Sequence, residues 1–350
     1  MLTITIDGRS VDVPPGATIL EAARRAGIVI PTLCHRDDLP PQGSCMVCAV
    51  KLAGRDAMVP ACVMLAEDGM IVQSETDEVR AVRRAALELL LSDHVGDCAA
   101  PCRQADEHHV DWAEMVRRVA AGDLSGALAA LEDACPPGTP AGKIDARKAM
   151  RACRRGQHDA PLALDRLLRH VLDSAGRAFA PRGPAAPPQS FSVHMGRLSE
   201  PEMRQLVSQA SAAGPIIPAV GPEGDYTPDE VRAEAARCLH CDCRAARTCA
   251  LRHWAEVYGA RPGRYAGAPR RAFEQRLDHP RVVFEPGKCI DCGLCVRICQ
   301  RRGERLGLAF VGRGFDVRVG VPLGGALSDA LTTAAEECVS ACPTGALAWK

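Results

Sequence analysis

The sequence predicts an α+β mosaic, and three observations carry that prediction. Apolar and polar residues alternate near the N-terminus, helical spacing fills a long middle stretch, and 18 cysteines gather in groups instead of scattering. At 350 residues the chain has room for two or three domains of roughly 150 residues each.

Leu2, Ile4 and Ile6 alternate with polar residues, Asp7-Gly8 supplies a hairpin turn, and Val11 and Val13 continue a return strand. Thr18 with Glu21 is a capping-box pair opening a short helix that Gly27 stops. Ile28 to Ile30 is expected to resume extended structure before the first cysteine loop, completing a compact unit over 1–78. Residues 79–92 (VRAVRRAALELLLS), 111–133 and 160–175 have helix spacing, so 79–177 is expected to be an α-helical middle domain. Next comes a Pro/Gly-rich stretch over 178–228, from PRGPAAPP at 181–188 to GPIIPAVGPEG at 214–224. That composition reads as a linker, with one helix inside 197–212. A four-cysteine module over 229–262 and a last domain over 263–350 complete the chain.

Composition removes several classes of function. The 43 basic and 43 acidic residues cancel, so nothing global favours nucleic acid or an anionic membrane. The opening MLTITIDGRS lacks a basic segment followed by an apolar one, and no apolar run could span a bilayer. A cytoplasmic location is therefore expected, where clustered cysteines are metal ligands more often than disulfides. No G-x-G-x-x-G follows a strand, and no GxxxxGK[ST], HExxH or nucleophile elbow is present. The expectation is a chain with no nucleotide site and no catalytic residues of its own. Aromatics make up only 3%, so bound metal or partner subunits are expected to contribute folding energy.

Cys34, Cys45, Cys48 and Cys62 form the first group, spaced C-x10-C-x2-C-x13-C. Four thiolates on an irregular loop suit a [2Fe–2S] cluster, although the spacing differs from the plant-type run; a zinc knuckle is the plainer alternative. The text IPTLCHRDDLPPQGSCMVCAVKL resembles the N-terminal domain of the complex I large iron–sulfur subunit and of related hydrogenase and formate dehydrogenase subunits. That resemblance implies a β-grasp [2Fe–2S] ferredoxin fold for 1–78.

Cys289, Cys292, Cys295 and Cys299, followed by Cys338 and Cys342-Pro343, form the second group. C-x2-C-x2-C-x3-C is the bacterial ferredoxin run, whose last cysteine serves the other cluster. One [4Fe–4S] cluster can be built from Cys289, Cys292, Cys295 and Cys342, while Cys299 and Cys338 remain from a half-dismantled second site. These two read better as buried inert thiols than as ligands. CVSACPTGAL also resembles the complex I subunit, and the last domain is expected to be bacterial-ferredoxin-like.

Cys238, Cys241, Cys243 and Cys249 lie within RCLHCDCRAARTC. They are expected to converge on a [4Fe–4S] cluster, with structural zinc or no metal as the other readings. EAARCLHC resembles the lead into ferredoxin modules in relatives of the glutamate synthase small subunit. The last group is His94, Cys98, Cys102, Cys135 and Cys153. DHVGDCAAPCRQAD and RACRRGQHDAPLALDRLLRHVLD resemble the N-terminal helical domain of that subunit and of dihydropyrimidine dehydrogenase, which binds two [4Fe–4S] clusters. Asp106-Glu107, Asp145 and Ala149 stand where one of those clusters would need cysteines. The resemblance leaves His94, Cys98, Cys102 and Cys153 for the other, or else a vestigial scaffold, and Cys135 as a plain thiol.

Together these resemblances imply a multi-cluster iron–sulfur subunit, non-catalytic itself, of a complex of the NADH dehydrogenase, hydrogenase or formate dehydrogenase type. It would relay single electrons between a flavin/NAD(P)H dehydrogenase partner and another redox subunit, such as a molybdopterin or hydrogenase catalytic subunit. A self-contained flavin reductase and a zinc- or cluster-binding structural or assembly protein are the rivals. Arg297, Arg301, Arg302 and Arg305 are read as a docking face or an ordinary solvated surface.

Overall fold

The structure is a computed structural model that describes residues 1–183, 197–219, 221, 224–265 and 271–350. Most of PRGPAAPP and part of GPIIPAVGPEG lie outside the described residues. The chain divides into two units: Met1–Val95 together with Arg244–Lys350, and Gly96–Cys243.

In the first unit, β1 (Leu2–Ile6) and β2 (Arg9–Val13) form the expected hairpin, with Leu2 opposite Val13 and Ile6 opposite Arg9. Asp7 and Gly8 both take positive φ, the conformation a two-residue turn requires. The alternation aims Ile4 and Ile6 inward, where both are fully buried. Helix α1 (Ile19–Arg25) opens on the capping box: Glu21 N–H donates to Thr18 Oγ1 at 3.2 Å, and Thr18 N–H donates to Glu21 Oε2 at 2.7 Å. Strands β3 (Ala49–Leu52), β4 (Val59–Pro60) and β5 (Ile71–Gln73) complete a sheet of order β2-β1-β5-β3-β4, with β5 parallel to β1. Val50, Val72, Leu20 and Ile19 fill the space between this sheet and α1. Residues 28–30 form no strand; Ile28 N–H instead bonds Ala23 O at 2.8 Å and closes the helix end.

Helix α2 (Asp77–Ser92) belongs to this first unit rather than to the helical middle where its spacing alone had placed it. Its Arg83 is fully buried, donating from Nε to Ala49 O at 3.0 Å and from Nη1 to Tyr258 Oη at 2.7 Å. Arg84 Nε donates to Tyr258 O at 2.8 Å. One helix thus ties strand β3 to residues far along the chain, which periodicity cannot report. In the C-terminal part of the unit, β6 (Val282–Phe284) pairs antiparallel with β9 (Leu347–Trp349). β7 (Ala309–Val311) pairs antiparallel with β8 (Arg318–Gly320). Gly312 makes that hairpin possible: φ is +88, and a Cβ there would stand 2.4 Å from Asp316 O.

The second unit is helical: α3 (Pro101–Ala105), α4 (Trp112–Ala120), α5 (Leu124–Glu132), α6 (Arg147–Ala152), α7 (Leu164–Ser174), α8 (Glu200–Val207) and α9 (Pro228–Ala235). Trp112, Met115, Leu128, Leu131, Leu167 and Val171 form its core, and Cys135 is buried within it. Burial pushes the Cys135 thiol up to about 11. Stretches read from composition as linker are pinned by buried charges. Glu132 accepts from Arg177 at 2.6 Å and from Ala180 N–H at 2.8 Å. Glu234, 1% exposed and paired with the equally buried Arg237, accepts from Ile216 N–H at 3.3 Å, and the fully buried Arg155 donates to Ala213 O at 3.1 Å. Tyr226 Oη donates to Ile216 O at 2.9 Å. Among the described residues no helix is long and apolar enough to cross a membrane.

Candidate metal centres

The cysteines of the first group come from three places around the N-terminal sheet. Cys34 and Cys45 lie on the long loop after α1, Cys48 at its end before β3, and Cys62 just after β4. All four are buried. Cys48 Sγ lies 3.4 Å from Cys62 Sγ. Cys34 is held below the ordinary thiol value by hydrogen bonds from Cys45 and then Cys62, while Cys62 is raised by Cys34 and then Cys48. Four buried thiols, linked in the order Cys45, Cys34, Cys62 and Cys48, fit a cluster that takes thiolates. Gly43, at φ +67, lets the loop approach Val63; a Cβ there would meet Val63 Cγ2 at 2.6 Å. Met46, between Cys45 and Cys48, takes a positive φ of 54.

In the C-terminal part of the first unit, Cys289, Cys292, Cys295 and Cys342 line one cavity of about 340 Å³. Its other walls include Phe284, Leu294, Val319 and Leu347. Three of the cysteines precede or open α10 (Leu294–Arg302), and after the one-turn α11 (Leu327–Ala330), Cys342 terminates α12 (Ala335–Ala341). Asp291 has φ 51, and its N–H donates to Cys289 Sγ at 3.4 Å, while Asp291 Oδ1 accepts from Val319 N–H at 2.8 Å. Burial raises Cys289, Cys295 and Cys292, the last to about 12. Such thiols ionise only when a metal supplies the balancing charge. The run and its remote fourth cysteine thus line the same cavity. Cys299 and Cys338 face each other instead, Sγ to Sγ at 3.9 Å and both buried, and neither lines that cavity.

Arg297 links the two centres. Its Nη2 donates to Cys34 O at 2.9 Å and its Nε to Gly293 O at 3.3 Å, and Nη1 donates to Pro40 O. Arg301 pairs with Asp38 and Glu337, and Arg302 Nε donates to Glu337 at 2.6 Å. Arg297, Arg301 and Arg302, read from sequence with Arg305 as a docking face or solvated surface, bond to other parts of the first unit. No signal in the sequence marks that use, because the partners are remote backbone carbonyls and carboxylates.

The two remaining groups are redistributed. His94 belongs to the first unit and Cys98, Cys102 and Cys153 to the second. His94 is 7% exposed, its Nδ1 lacks a hydrogen-bond partner, and burial, with the Lys288 charge, lowers it to about 4. Cys249 also belongs to the first unit, where its thiol accepts Arg252 N–H at 3.4 Å and lies 3.7 Å from Pro343 O. Cys238, Cys241 and Cys243 are in the second unit. There, Cys102 and Cys153 share a cavity of about 390 Å³ with Cys238 and Cys241. Cys98 and Cys243 are not in its lining; their backbones meet through Cys243 N–H and Cys98 O at 3.4 Å. Among the described residues no three His, Cys, Asp or Glu side chains converge closely enough to hold a single metal ion.

Residues 1–77 match the 2Fe-2S iron-sulfur cluster binding domain family. The chain is 43% identical over 98 residues to a subunit of the NADH-quinone oxidoreductase of Rhizobium meliloti, covering 28% of this chain and 12% of that protein. It is 44% identical over 112 residues to NADP-reducing hydrogenase subunit HndD of Solidesulfovibrio fructosivorans, covering 31% of this chain and 19% of that one. The matched stretch is thus under a fifth of either relative. A solved NAD+-reducing [NiFe]-hydrogenase aligns with 100% of this chain and 87% of its own at 20% identity and a TM-score of 0.46, a likeness too distant to carry weight. Residues 1–77 are a 2Fe-2S iron-sulfur cluster binding domain, in a chain similar to subunits of NADH-quinone oxidoreductase and NADP-reducing hydrogenase.

Proposed function

We propose that the chain is a multi-cluster electron-transfer subunit relaying single electrons between a flavin-containing NAD(P)H dehydrogenase partner and a second redox subunit. The observation that carries this reading is the pairing of two cysteine-lined centres in one unit, with Arg297 bonded to the ligand loop of each. In this reading Cys34, Cys45, Cys48 and Cys62 hold a [2Fe–2S] cluster, and Cys289, Cys292, Cys295 and Cys342 hold a [4Fe–4S] cluster in a bacterial-ferredoxin-like domain. Bound clusters supply one-electron couples and nothing more.

The protein's own part is to hold and tune. Arg297 fixes the Cys34 and Gly293 loops against each other and brings a positive charge between two anionic centres. Phe284, Leu294 and Leu347 keep water from the second centre. The Asp291 N–H on Cys289 Sγ removes charge from one ligand sulfur, which raises a cluster's potential. The helical unit is similar to the glutamate synthase small-subunit domain, and the whole chain works in the cytoplasm. The names of its relatives, an NADH-quinone oxidoreductase and an NADP-reducing hydrogenase, support an NAD(P)-linked partner on one side, which in this reading carries the flavin. A hydrogenase or molybdopterin subunit would stand on the other.

The test is iron and acid-labile sulfide on protein purified without oxygen, followed by anaerobic reduction with NADH and a flavin-containing NADH dehydrogenase. At least about six irons and six sulfides per chain are expected, with EPR signals that appear on reduction. Folded protein with almost no sulfide would end the relay reading. Clusters that dithionite reduces but no NAD(P)H flavoprotein does would keep the relay and remove that partner.

A further inference from the structure

We propose that Cys102, Cys153, Cys238 and Cys241 together hold one [4Fe–4S] cluster in the second unit, a ligand set that neither contiguous cysteine group supplies. The proposal rests on the relay reading for the presence of clusters in this chain, and its test separates the two.

The four thiols are the cysteine lining of a single cavity of about 390 Å³, walled otherwise by Trp112, Val116, Leu162, Leu164 and the Arg154 side chain. They come from α3, the end of α6 and the turn after α9, three segments that the helical core fixes against one another. Their nearness is also electrostatic. Cys102 is raised first by burial and then by Cys238, Cys153 and Cys241.

The turn that presents Cys238 and Cys241 repeats the one that presents Cys289 and Cys292. In each C-x2-C the residue before the second cysteine takes positive φ, 44 at His240 and 51 at Asp291. In each, that residue's backbone N–H bonds the first cysteine's sulfur. Histidine and aspartate are among the non-glycine residues that enter this conformation most readily, and both do so at the same place in the turn. The shared turn at the ferredoxin-type run and at Cys238 supports the same task for both loops.

Arg154 supplies an independent sign of an absent anion. Its side chain is 1% exposed and donates from Nη2 to Asp97 Oδ2 at 2.7 Å, while Nε and Nη1 are buried with no oxygen or nitrogen partner and the Cys241 thiol is the group left for them to face. An unmet guanidinium N–H in a dry site is costly. This one sits in the wall of a thiol-lined cavity and pulls the Cys241 thiol down against its burial. An anionic cluster offers the sulfur acceptors those donors lack. A zinc ion would instead need its sulfurs within about 2.3 Å of one point. No three such ligands converge that closely among the described residues.

The experiment uses the full chain, purified without oxygen, as wild type, Cys153→Ser, Cys238→Ser and the double variant. Iron and sulfide are counted, and EPR spectra are taken after reduction. Each single variant is expected to lose about four irons and the same EPR signal, and the double variant about four and no more. Wild-type helical circular dichroism and an unchanged urea transition of the helical second unit show that the variants are folded there. Loss of about eight irons in the double variant would place the two cysteines on different clusters and overturn the proposal. So would loss at Cys238→Ser with none at Cys153→Ser. A wild type with about six irons, with or without one zinc, would also overturn it while leaving the relay standing. Folded protein without sulfide would remove both.

Discussion

The two cysteine-lined cavities differ in how their ligands are gathered. In the first unit, three of the four come from one tight run, Cys289, Cys292 and Cys295, and only Cys342 arrives from elsewhere. In the second, Cys102, Cys153 and the Cys238–Cys241 pair come from three separated segments. The first cavity is written into a local turn. The second exists only because a helical core holds its segments in place. A site of the second kind should fail whenever the core loosens, even with every cysteine intact.

Arg237→Met is the strongest test of that difference. It would leave Glu234, itself 1% exposed, without the cation it pairs with. The expected cost is about 3–5 kcal/mol, confined to the second unit. Denaturation should show an early transition, with loss of the iron assigned to Cys102, Cys153, Cys238 and Cys241 and survival of the [2Fe–2S] signal. If both units melt together at the wild-type midpoint, the contrast between them is wrong. Trp112→Phe probes the same core more gently. It removes the indole N–H that bonds Asp106 Oδ2 at 2.8 Å and should cost about 1–3 kcal/mol, read by urea unfolding.

In the first unit the sensitive point is the local turn. Gly293 has φ +69, and a Cβ would stand 2.5 Å from Gln42 Oε1 and 3.2 Å from the Phe310 ring. Gly293→Ala should cost about 1–3 kcal/mol and lower iron occupancy at Cys292, leaving the second unit's iron untouched. Arg297→Gln is expected to cost about 1–2 kcal/mol. It should also lower the midpoint potentials of both first-unit clusters, because a positive charge favours the more negative reduced state. Unchanged potentials in a redox titration would remove Arg297 from its linking role.

The smallest effect concerns Glu304, whose carboxylate accepts from the Thr332 hydroxyl and from Thr333 N–H at 2.6 Å and Ala334 N–H at 2.7 Å. Burial opposes these hydrogen bonds, which prevail and lower it to about 2. A depressed carboxylate stabilises the folded state above its unfolded value near 4.5, and that stability disappears as pH falls toward 2. Glu304→Gln should therefore cost about 1 kcal/mol at pH 7, discounted for its partial exposure. The gap between wild type and variant should close below about pH 4.5.

Legibility in the sequence followed the distance over which each feature is encoded. The N-terminal hairpin was readable because Ile4, Ile6 and Asp7-Gly8 act on immediate neighbours, and the α1 capping box because Thr18 and Glu21 are three apart. The segment at 28–30 was misread, since apolar residues there serve a helix end rather than a strand. The β7–β8 hairpin was missed, because its strands are three residues each and the glycines of its connection read as turn alone. Helix α2 was found but assigned to the wrong neighbours, since burial of Arg83 against Ala49 O and Tyr258 leaves no periodic mark.

By itself the sequence determined the N-terminal hairpin, the capping box and the helical character of the middle stretch, and it grouped the cysteines by spacing. Ligand loops and amphipathic helices are encoded within a few residues, so spacing alone carries them. Only the tertiary structure decided that Arg297 joins two centres, that Cys299 faces Cys338, and that Cys102 and Cys153 meet Cys238 and Cys241. One thiol is chemically identical to another along a chain. Which of them share a cavity is settled by the packing of helices far apart in sequence.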